Sequence, residues 1–509
     1  MGFNTSQSSK KRHAPPKAAA MFEALRGLGY STASALADII DNSIAAKAKV
    51  VRLKFYWNGS SSRISILDDG TGMSDETLDK AMRLGEFNPL DERSSDDLGR
   101  FGMGLKTASF SQARRLTVAT KKAGFKNESY LRWDLDILQE SEGDGWYLLE
   151  GAQEDSLPFL ADLNDQKSGT IVLWENLDRI VSTSFSQKDF LSLIDRVENH
   201  LSMVFHRYLE GLKPKLTITI NDIKISPWDP FLLGHPAKPW HSPPASAPSF
   251  PKVICECHVL PHKDRILEKE YIEAQGPDGW TAQQGFYVYR NERLLLAGSW
   301  LSLGVGRSWT KDEAHRLARI RLDIPNSVDQ DWKIDIRKST ARPPIALRPW
   351  LTQMAEATRA RARRAFAHRG RAPRTNEGTE VIQAWRADHF TGGMRYRVDL
   401  DHPSIRAVID EAGPLLPQVK AMLRVLEETI PVQRIWIDTA ENKETPSTGF
   451  DDSPPEDVVR ILKIMYRNLV IKKGLSSELA KKRLLESEPF HKYPKLIESL
   501  IDPSQEAEL

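Results

Sequence analysis

Hydrophobic residues recur at helical intervals near the start of the chain and predict an amphipathic helix over residues 31–47. Ser31 or Thr32 can cap its first turn, because a hydroxyl oxygen accepts a bond from an unpaired backbone N–H group. Shorter helices are predicted over 18–28 and 101–112. The apolar residues that define helix 31–47 are Leu36, Ile39, Ile40 and Ile44.

Strand-like runs follow and separate into two groups. The first group, with a helix over 190–207, predicts an α/β domain. The second group, interrupted by the proline-rich linker 227–251, predicts an α+β domain. Strands of the first group are expected over 50–57, 63–67, 116–120, 129–135, 146–150 and 170–174. Strands of the second group are expected over 216–220, 253–260, 285–290 and 319–324.

The whole chain is therefore predicted to be α+β, with its first domain over 18–208 and its second over 209–345. A basic helix and linker over 346–375 leads to a mainly helical C-terminal domain over 376–509. Residues 1–17 form a flexible basic tail. At 509 residues the chain is too long for a single hydrophobic core, which agrees with several domains.

Composition places the chain among ordinary globular proteins, with 40% hydrophobic and 28% charged residues. No apolar run approaches the roughly 20 residues of a membrane span, and the polar N-terminus lacks a signal-peptide core, so a cytoplasmic protein without membrane contact is predicted. Cys255 and Cys257 agree with a reducing compartment and are interpreted as core residues of one strand, because a zinc site would need more ligands.

Charge is distributed unevenly, although the formal net charge is only +2. Residues 359–374 contain seven arginines and no acid, and a second basic run lies at 10–13. Such runs can bind the phosphates of duplex DNA whatever the net charge of the whole chain. The alternative interpretation is a solvated helix or linker.

Three short segments carry candidate chemistry, and the first lies on helix 31–47. Asp38 and Asn42 are four residues apart and so share a helix face. An amide oxygen is a suitable ligand for Mg²⁺, and a carboxylate one turn earlier can orient and deprotonate a water aimed at a γ-phosphate. Taken alone, the pair could equally be the polar face of an amphipathic helix.

The second segment follows the apolar strand 63–67. Asp68 at its end needs a donor partner if it is buried, and an adenine amine supplies one. Gly70 and Gly72 would let the backbone pass close to a flat ring, and Met73 could pack on it. Two adjacent acids before a glycine are otherwise typical of a simple turn, and Met73 could simply belong to the core.

The third segment is glycine-rich and lies at the start of helix 101–112. Backbone N–H groups at a helix start favour phosphates. The spacing is neither that of a Walker loop nor that of the dinucleotide fingerprint. The polar stretch 84–100 before it is interpreted as a lid. The candidate phosphate-binding residues are Gly99, Arg100, Phe101, Gly102, Met103, Gly104, Leu105 and Lys106, although Lys106 could also be a solvated helix lysine.

Together these segments resemble the N-box and two glycine boxes of the GHKL ATPases, the superfamily of gyrase B, heat-shock chaperones, histidine kinases and MutL. The sequences Ala35–Ser43 and Gly102–Lys106 are most similar to the MORC branch. The resemblance implies a Bergerat-type ATPase sandwich, a mixed sheet with helices on one face, that binds ATP and Mg²⁺. It implies a ribosomal-protein-like transducer for the second domain.

The resemblance also implies roles for individual residues. Asp38 takes the place of the general base, usually Glu in the family, and its shorter side chain predicts slow hydrolysis. Asn42 takes the magnesium role and Asp68 the adenine role, while Thr170 resembles the threonine of a fourth box that helps to fix adenine. A transducer lysine reaches the γ-phosphate in relatives, and Lys333 and Lys338 are both candidates for it.

The resemblance to MORC-like proteins favours an ATP-gated clamp that forms a homodimer on ATP binding and acts on DNA, with restriction or phage defence as a family implication. Protein partners could bind through the helical C-terminal region. The alternative is an ATP-dependent chaperone with a protein partner. A histidine kinase would need a phosphorylated histidine upstream, and only His13 precedes Asp38. No motif supports a topoisomerase cleavage domain or a MutL-type nuclease.

Overall fold

The computed structural model describes residues 16–86, 103–125, 127–140, 146–248, 250–326, 332–333, 341–366, 381–390, 393–435 and 454–503. These residues divide into two compact units, the first within 16–366 and the second within 381–503. No helix of the described residues is both long enough and apolar enough to cross a membrane.

Eight strands of the described residues form the first sheet. They are β1 (Val50–Tyr56), β2 (Arg63–Asp68), β3 (Arg115–Lys121), β4 (Ser129–Asp134), β5 (Leu149–Glu150), β6 (Gly169–Glu175), β7 (Thr217–Ile220) and β8 (Ile223–Lys224). Their order is β5-β4-β3-β6-β2-β1-β7-β8, and β1 and β7 run parallel while the other neighbours are antiparallel. The sheet is therefore mixed.

The main helices of this domain pack on one face of the sheet, where apolar residues from alternate strand positions meet them. The opposite face is covered over β2, β3 and β6 by one short helix, so helices are not confined to one face as predicted. The helices are α1 (Ala18–Arg26), α2 (Thr32–Ala45), α3 (Asp75–Met82), α4 (Gly104–Phe110), α5 (Leu135–Glu140), α6 (Leu157–Leu160), α7 (Gln187–Val204) and α8 (His206–Leu209). The short covering helix is α6.

Helix α2 begins at Thr32 because Ser31 caps it. The Ser34 backbone N–H donates to the Ser31 hydroxyl at 3.1 Å, and the Ser31 backbone N–H donates to the Ser34 hydroxyl at 3.0 Å. This reciprocal box satisfies two backbone donors at the helix start. The buried residues of α2 include Leu36, Ile39 and Ile40, which fixes the helix against the sheet.

The second sheet follows in the same unit. Its strands are β9 (Trp240–His241), β10 (Ala245–Ala247), β11 (Phe250–Val259), β12 (Gly285–Arg290), β13 (Arg293–Ser299) and β14 (Ala318–Ile324). The helices beside it are α9 (Glu268–Ala274) and α10 (Arg348–Phe366). Helix α10 packs its buried residues into the core of this sheet, which also holds both cysteines. The ribosomal-protein-like transducer fold stays a prediction for this region.

The boundary expected at residue 208 differs from the observed sheets. Strand β7 pairs in parallel with β1, and β8 pairs with β7, so residues 217–224 belong to the first sheet. Alternation along a strand predicts the strand but carries no information on which sheet it joins. Strand β13 was missed because the turn before it, Asn291-Glu292, lacks a glycine, although both residues adopt positive φ angles of 47° and 67°.

The described residues of the second unit include several helices. They are α11 (Pro403–Glu411), α12 (Leu416–Glu428), α13 (Glu456–Arg467), α14 (Ser477–Leu485) and α15 (Pro494–Glu498). An antiparallel hairpin of β15 (Trp385–Phe390) and β16 (Gly393–Val398), which the sequence analysis missed, precedes them. The unit is thus helical with one small sheet among its described residues.

Candidate active site

Helix α2 carries two buried acids and an exposed amide. Asp38 is 4% exposed, and the Tyr30 hydroxyl donates to its Oδ2 at 2.9 Å. Asp41, one turn along, is 1% exposed and lies beside the Arg293 guanidinium, with Nε 3.2 Å from its Oδ2. Asn42 is exposed. The helix therefore holds an oriented carboxylate in the protein and presents an amide oxygen to solvent.

Asp68, the predicted adenine residue, is buried at the end of β2. The Ser43 hydroxyl donates to its Oδ2 at 2.9 Å, and the Gly70 backbone N–H donates to its Oδ1 at 2.9 Å. Burial raises the pKa of this carboxyl above its usual value, and these donors partly oppose the rise. Because Ser43 follows Asn42 directly, the α2 helix joins the predicted magnesium and adenine positions in one site.

Two positions after Asp68 need glycine because other segments of the protein pass close to them. Gly72 has a φ of +62°, and a Cβ there would lie 1.9 Å from the Lys121 carbonyl oxygen. A Cβ on Gly70 would lie 2.9 Å from Ala46 Cβ and from Asp68 Oδ1. The described close approach is therefore to strand β3 and helix α2, a reason for both glycines that differs from the predicted approach to a ring.

A hydroxyl network links the remaining members of the predicted purine end. The register of β2 and β6 places Thr170 opposite Asp68. The Thr170 and Thr120 hydroxyls share a hydrogen bond of 2.9 Å, and the Met73 backbone N–H donates to Thr120 at 2.9 Å. The Met73 side chain packs against the helical-face core. Thr120 was not predicted as a site residue, because the sequence of β3 alone does not show which residues the Thr120 side chain contacts.

The glycine-rich segment is described only in part. Gly99, Arg100, Phe101 and Gly102 lie outside the described residues, as does most of the predicted lid. Met103 precedes α4 without a side-chain cap, and Gly104 and Leu105 form its first turn. The Met103 side chain therefore does not cap the backbone N–H groups at this helix start. A phosphate site requires N–H groups that no side chain caps.

Lys106 is not the solvated lysine that the sequence allowed. It is 1% exposed, and its Nζ donates to the Ala81 carbonyl oxygen near the end of α3 at 2.8 Å. Burial lowers the pKa of Lys106 to about 8. The ammonium is thus held inside the domain beside the candidate phosphate segment.

Among the described residues, the second-sheet residue that contacts the acids of α2 is not one of the two predicted transducer lysines. Lys338 lies outside the described residues, and Lys333 is exposed with a φ of +47°. The second-sheet cation beside Asp38 is Arg293 at the start of β13, with its guanidinium 3.7 Å from Asp38 Oδ1. Local sequence gave no signal for this pair, since 255 residues separate its members along the chain.

Comparison with known proteins finds a family match over the segment that contains the candidate site. The family of histidine kinase-, DNA gyrase B-, and HSP90-like ATPases matches residues 30–170, which include α2, the Asp68 turn and Thr170. Residues 30–170 therefore match the GHKL superfamily, and the resemblance that the motifs predicted is confirmed for this part of the chain. Its similarity to MORC proteins is confirmed as well.

Three relatives illustrate the extent of the similarity. The ATPase morc-1 of Caenorhabditis elegans is 29% identical over 234 residues, covering 38% of this chain and 27% of the relative. The chaperone protein HtpG of Magnetococcus marinus is 30% identical over 128 residues, covering 23% and 19%. HtpG of Nitrosomonas eutropha is 29% identical over 114 residues, covering 20% and 17%. The chain thus spans about a quarter or less of the length of these relatives.

Proposed function

We propose that this chain binds ATP with Mg²⁺ and hydrolyses it to ADP and phosphate. The observation that carries the proposal is the arrangement on α2. The buried Asp38 carboxylate, oriented by Tyr30, lies one turn before the exposed Asn42, and Ser43 donates to Asp68. In this assignment Asp38 orients and deprotonates the attacking water, Asn42 binds the metal, and Asp68 accepts a hydrogen bond from adenine.

The donor set fits these ligands. Ser43 and Gly70 each donate one hydrogen bond to Asp68, and an ionised carboxylate can accept about four, so an adenine amine can be accepted as well. The exposed Asn42 amide oxygen suits Mg²⁺, which prefers oxygen ligands and retains several waters. When bound, the ion would neutralise developing charge on the phosphate oxygens.

Phosphate release from MgATP by the purified chain tests the proposal, with an Asp38→Asn variant as the blank. Turnover in the wild type above this blank supports ATP hydrolysis at the assigned site. Equal phosphate release by the two proteins would contradict the assignment of Asp38.

Lys106 is expected to make ATP affinity depend on pH. Its buried amine has a pKa of about 8, so the ammonium that attracts phosphates is lost as pH rises through that value. We expect wild-type affinity to fall by about 10-fold between pH 7 and pH 9, in line with the loss of one charge-assisted bond. The Lys106→Met variant should bind more weakly at pH 7 and show little further change. Parallel pH profiles measured by calorimetry for the two proteins would exclude this role.

We further propose that the protein is a nucleotide-gated homodimeric clamp on duplex DNA. Helix α10 supports DNA as the cargo, because Arg361, Arg363 and Arg364 are exposed on it. Arg361 also packs on the Trp240 ring, 4.0 Å from its centre. Arg359 differs from all three because its side chain is only 12% exposed and is paired with an acid. Its guanidinium lies 4.6 Å and 4.9 Å from the ring centres of Trp300 and Trp309, and it pairs with Asp312 at 3.4 Å.

Arg359 therefore anchors α10 to its own domain, and we do not assign it a contact with DNA. Cation–π packing between two indoles is a structural use of an arginine, and sequence spacing alone could not distinguish it from its exposed neighbours. The arginines assigned to DNA among the described residues are Arg361, Arg363 and Arg364.

Replacing these three arginines by Gln should weaken binding to duplex DNA and lower the slope of log affinity against log salt by up to about 3, because each neutralised phosphate releases counterions. Basal ATP hydrolysis should stay near the wild-type value. Replacing the exposed Arg179, Lys188 and Arg196 by Gln removes the same charge from the first domain and is the matched control. An unchanged salt slope in the α10 variant would exclude this helix as the DNA contact.

The second candidate is an ATP-dependent chaperone, which the similarity to HtpG over 128 and 114 residues favours. Stimulation of ATP hydrolysis distinguishes the two, since a DNA clamp responds to closed circular duplex and a chaperone to unfolded protein. Dimerisation is tested by the mass of the protein with and without a non-hydrolysable ATP analogue. A role in restriction or phage defence is an implication of the resemblance alone.

A further inference from the structure

The Arg293 side chain crosses from the second sheet to the candidate base on α2. Its guanidinium lies 3.2 Å from Asp41 Oδ2 and 3.7 Å from Asp38 Oδ1, and its Nη1 donates to the Leu294 carbonyl oxygen at 2.8 Å. The side chains of all three charged residues are 5% exposed or less. One cation therefore serves two enclosed carboxylates.

Of the other titratable groups around this cluster, His200 and Tyr208 are neutral at neutral pH, while Glu292 and Arg207 form an ion pair at 4.0 Å. Burial, with the charge of Arg293, lowers the pKa of His200 on α7 to about 4. Burial, with the charges of Glu292 and Asp41, raises the pKa of Tyr208 on α8 to about 12. The Tyr30 hydroxyl donates a hydrogen bond to Asp38. Arg293 thus supplies positive charge that neither His200 nor Tyr208 replaces.

We propose that Arg293 is a positioning residue through which the second sheet controls the catalytic base. This inference rests on the proposed function of Asp38 in ATP hydrolysis. Arg293 neutralises Asp41, so that Asp38 can remain oriented toward Tyr30 without repulsion from a second acid.

The electrostatic reason follows from spacing on the helix. Asp38 and Asp41 are three residues apart, and side chains at this spacing are close neighbours on a helix. Two like charges that are both removed from water repel strongly, because the protein interior screens them poorly. With Arg293 in place, the three groups carry a net charge of −1, which matches the one negative charge that a base requires.

The position of β13 makes this contact a link between domains. Arg293 begins β13, and its guanidinium also lies 5.9 Å from the ring centre of Phe205, just after α7. The two domains make other contacts, including the Arg207–Asp323 ion pair at 2.5 Å. Of these two contacts, only that of Arg293 involves the proposed base, Asp38. Movement of β13 against α2 would therefore change the surroundings of Asp38 directly.

Three variants of the full chain test the inference. Arg293→Met should lower kcat for ATP hydrolysis at least 10-fold while the Kd for a non-hydrolysable ATP analogue changes less than 3-fold. Arg293→Lys should recover part of kcat, since it keeps the charge. Arg293→Met combined with Asp41→Asn should also recover kcat, because removing one acid restores the net charge of −1.

Arg207→Met is the matched control, since it removes an ion pair between the same two domains that includes neither Asp38 nor Asp41. Its kcat should remain near that of the wild type. Thermal unfolding of every variant establishes that it is folded, and a folded Arg293→Lys variant keeps the test valid if Arg293→Met does not fold.

The outcomes separate this inference from the proposed function. Wild-type turnover together with an unchanged kcat in Arg293→Met overturns the role of Arg293 alone. The role of Arg293 is also overturned if Arg293→Met loses kcat, Asp41→Asn does not recover it, and Arg207→Met shows the same loss. The Arg293 contact would then contribute only to packing between the domains. Absence of turnover in the wild type overturns the proposed function itself.

Discussion

Replacing Asp38 by Asn is expected to lower kcat for ATP hydrolysis by about two to four orders of magnitude, the range that general base catalysis contributes. The amide keeps the size of the side chain but cannot accept the proton of the attacking water. ATP should still bind, because Asp38 contacts neither the predicted adenine position nor the metal position directly in this assignment. Phosphate release and equilibrium binding of ATP, measured on the same protein, check both parts.

The exposed Asp195 on α7 offers a matched control, since Asp195→Asn removes one carboxylate from the same domain without touching the site. It should leave kcat unchanged. Retention of wild-type kcat in Asp38→Asn would remove Asp38 as the base and move attention to Asp41, the other buried acid on α2.

The second large effect is expected from Asp68→Asn, which should weaken ATP binding by about 10- to 100-fold. A hydrogen bond to a charged group contributes about 1.5–3 kcal/mol, and the variant can present an amide donor where the adenine amine needs an acceptor. The Ser43 hydroxyl and the Gly70 N–H also lose a charged acceptor. Calorimetric titration with MgATP measures the loss.

Asp69 supplies the control for this experiment, because it is the next acid along the chain and has a purely structural contact. Its Oδ1 accepts the backbone N–H groups of Lys49 at 2.7 Å and Val50 at 2.9 Å, at the start of β1. Asp69→Asn should lower the unfolding temperature and leave ATP affinity within about 2-fold of the wild type. The adenine assignment of Asp68 fails if both variants bind ATP as the wild type does.

Elements with strong periodicity could be predicted from the sequence. Helix α2 has both a regular apolar stripe and a capping serine, and strands β1 and β2 show alternation, so their limits agree with prediction within a few residues. Hairpin β15–β16 was missed in a stretch dominated by helical patterns, although the dipeptide Gly392-Gly393 was a turn signal. Membership of β7 in the first sheet depends on a long-range pairing that no local pattern encodes.

The candidate site divides in the same way. Asp38, Asn42 and Asp68 could be proposed from motifs, because their spacing on α2 and their place after β2 are local properties. The burial of Lys106 against Ala81 and the pairing of Arg293 with Asp41 are tertiary properties. They depend on how α4 packs beside α3 and on where the second sheet meets α2. Sequence reasoning could therefore propose the groups of the candidate site, including Lys106, but could not predict the tertiary contacts of Lys106 and Arg293.

The indole clamp on Arg359 has a mechanical consequence. Because it ties the C-terminal half of α10 to the second sheet, the helix cannot swing independently and acts as a rigid lever. Its 19 residues span roughly 28 Å. A turn of the sheet by about 10° around the first residues of α10 would carry the far end through about 5 Å, more than the roughly 3.4 Å of helix axis per phosphate of one DNA strand. A small rearrangement near α2 would then shift the exposed arginines by about one base-pair step along a bound duplex.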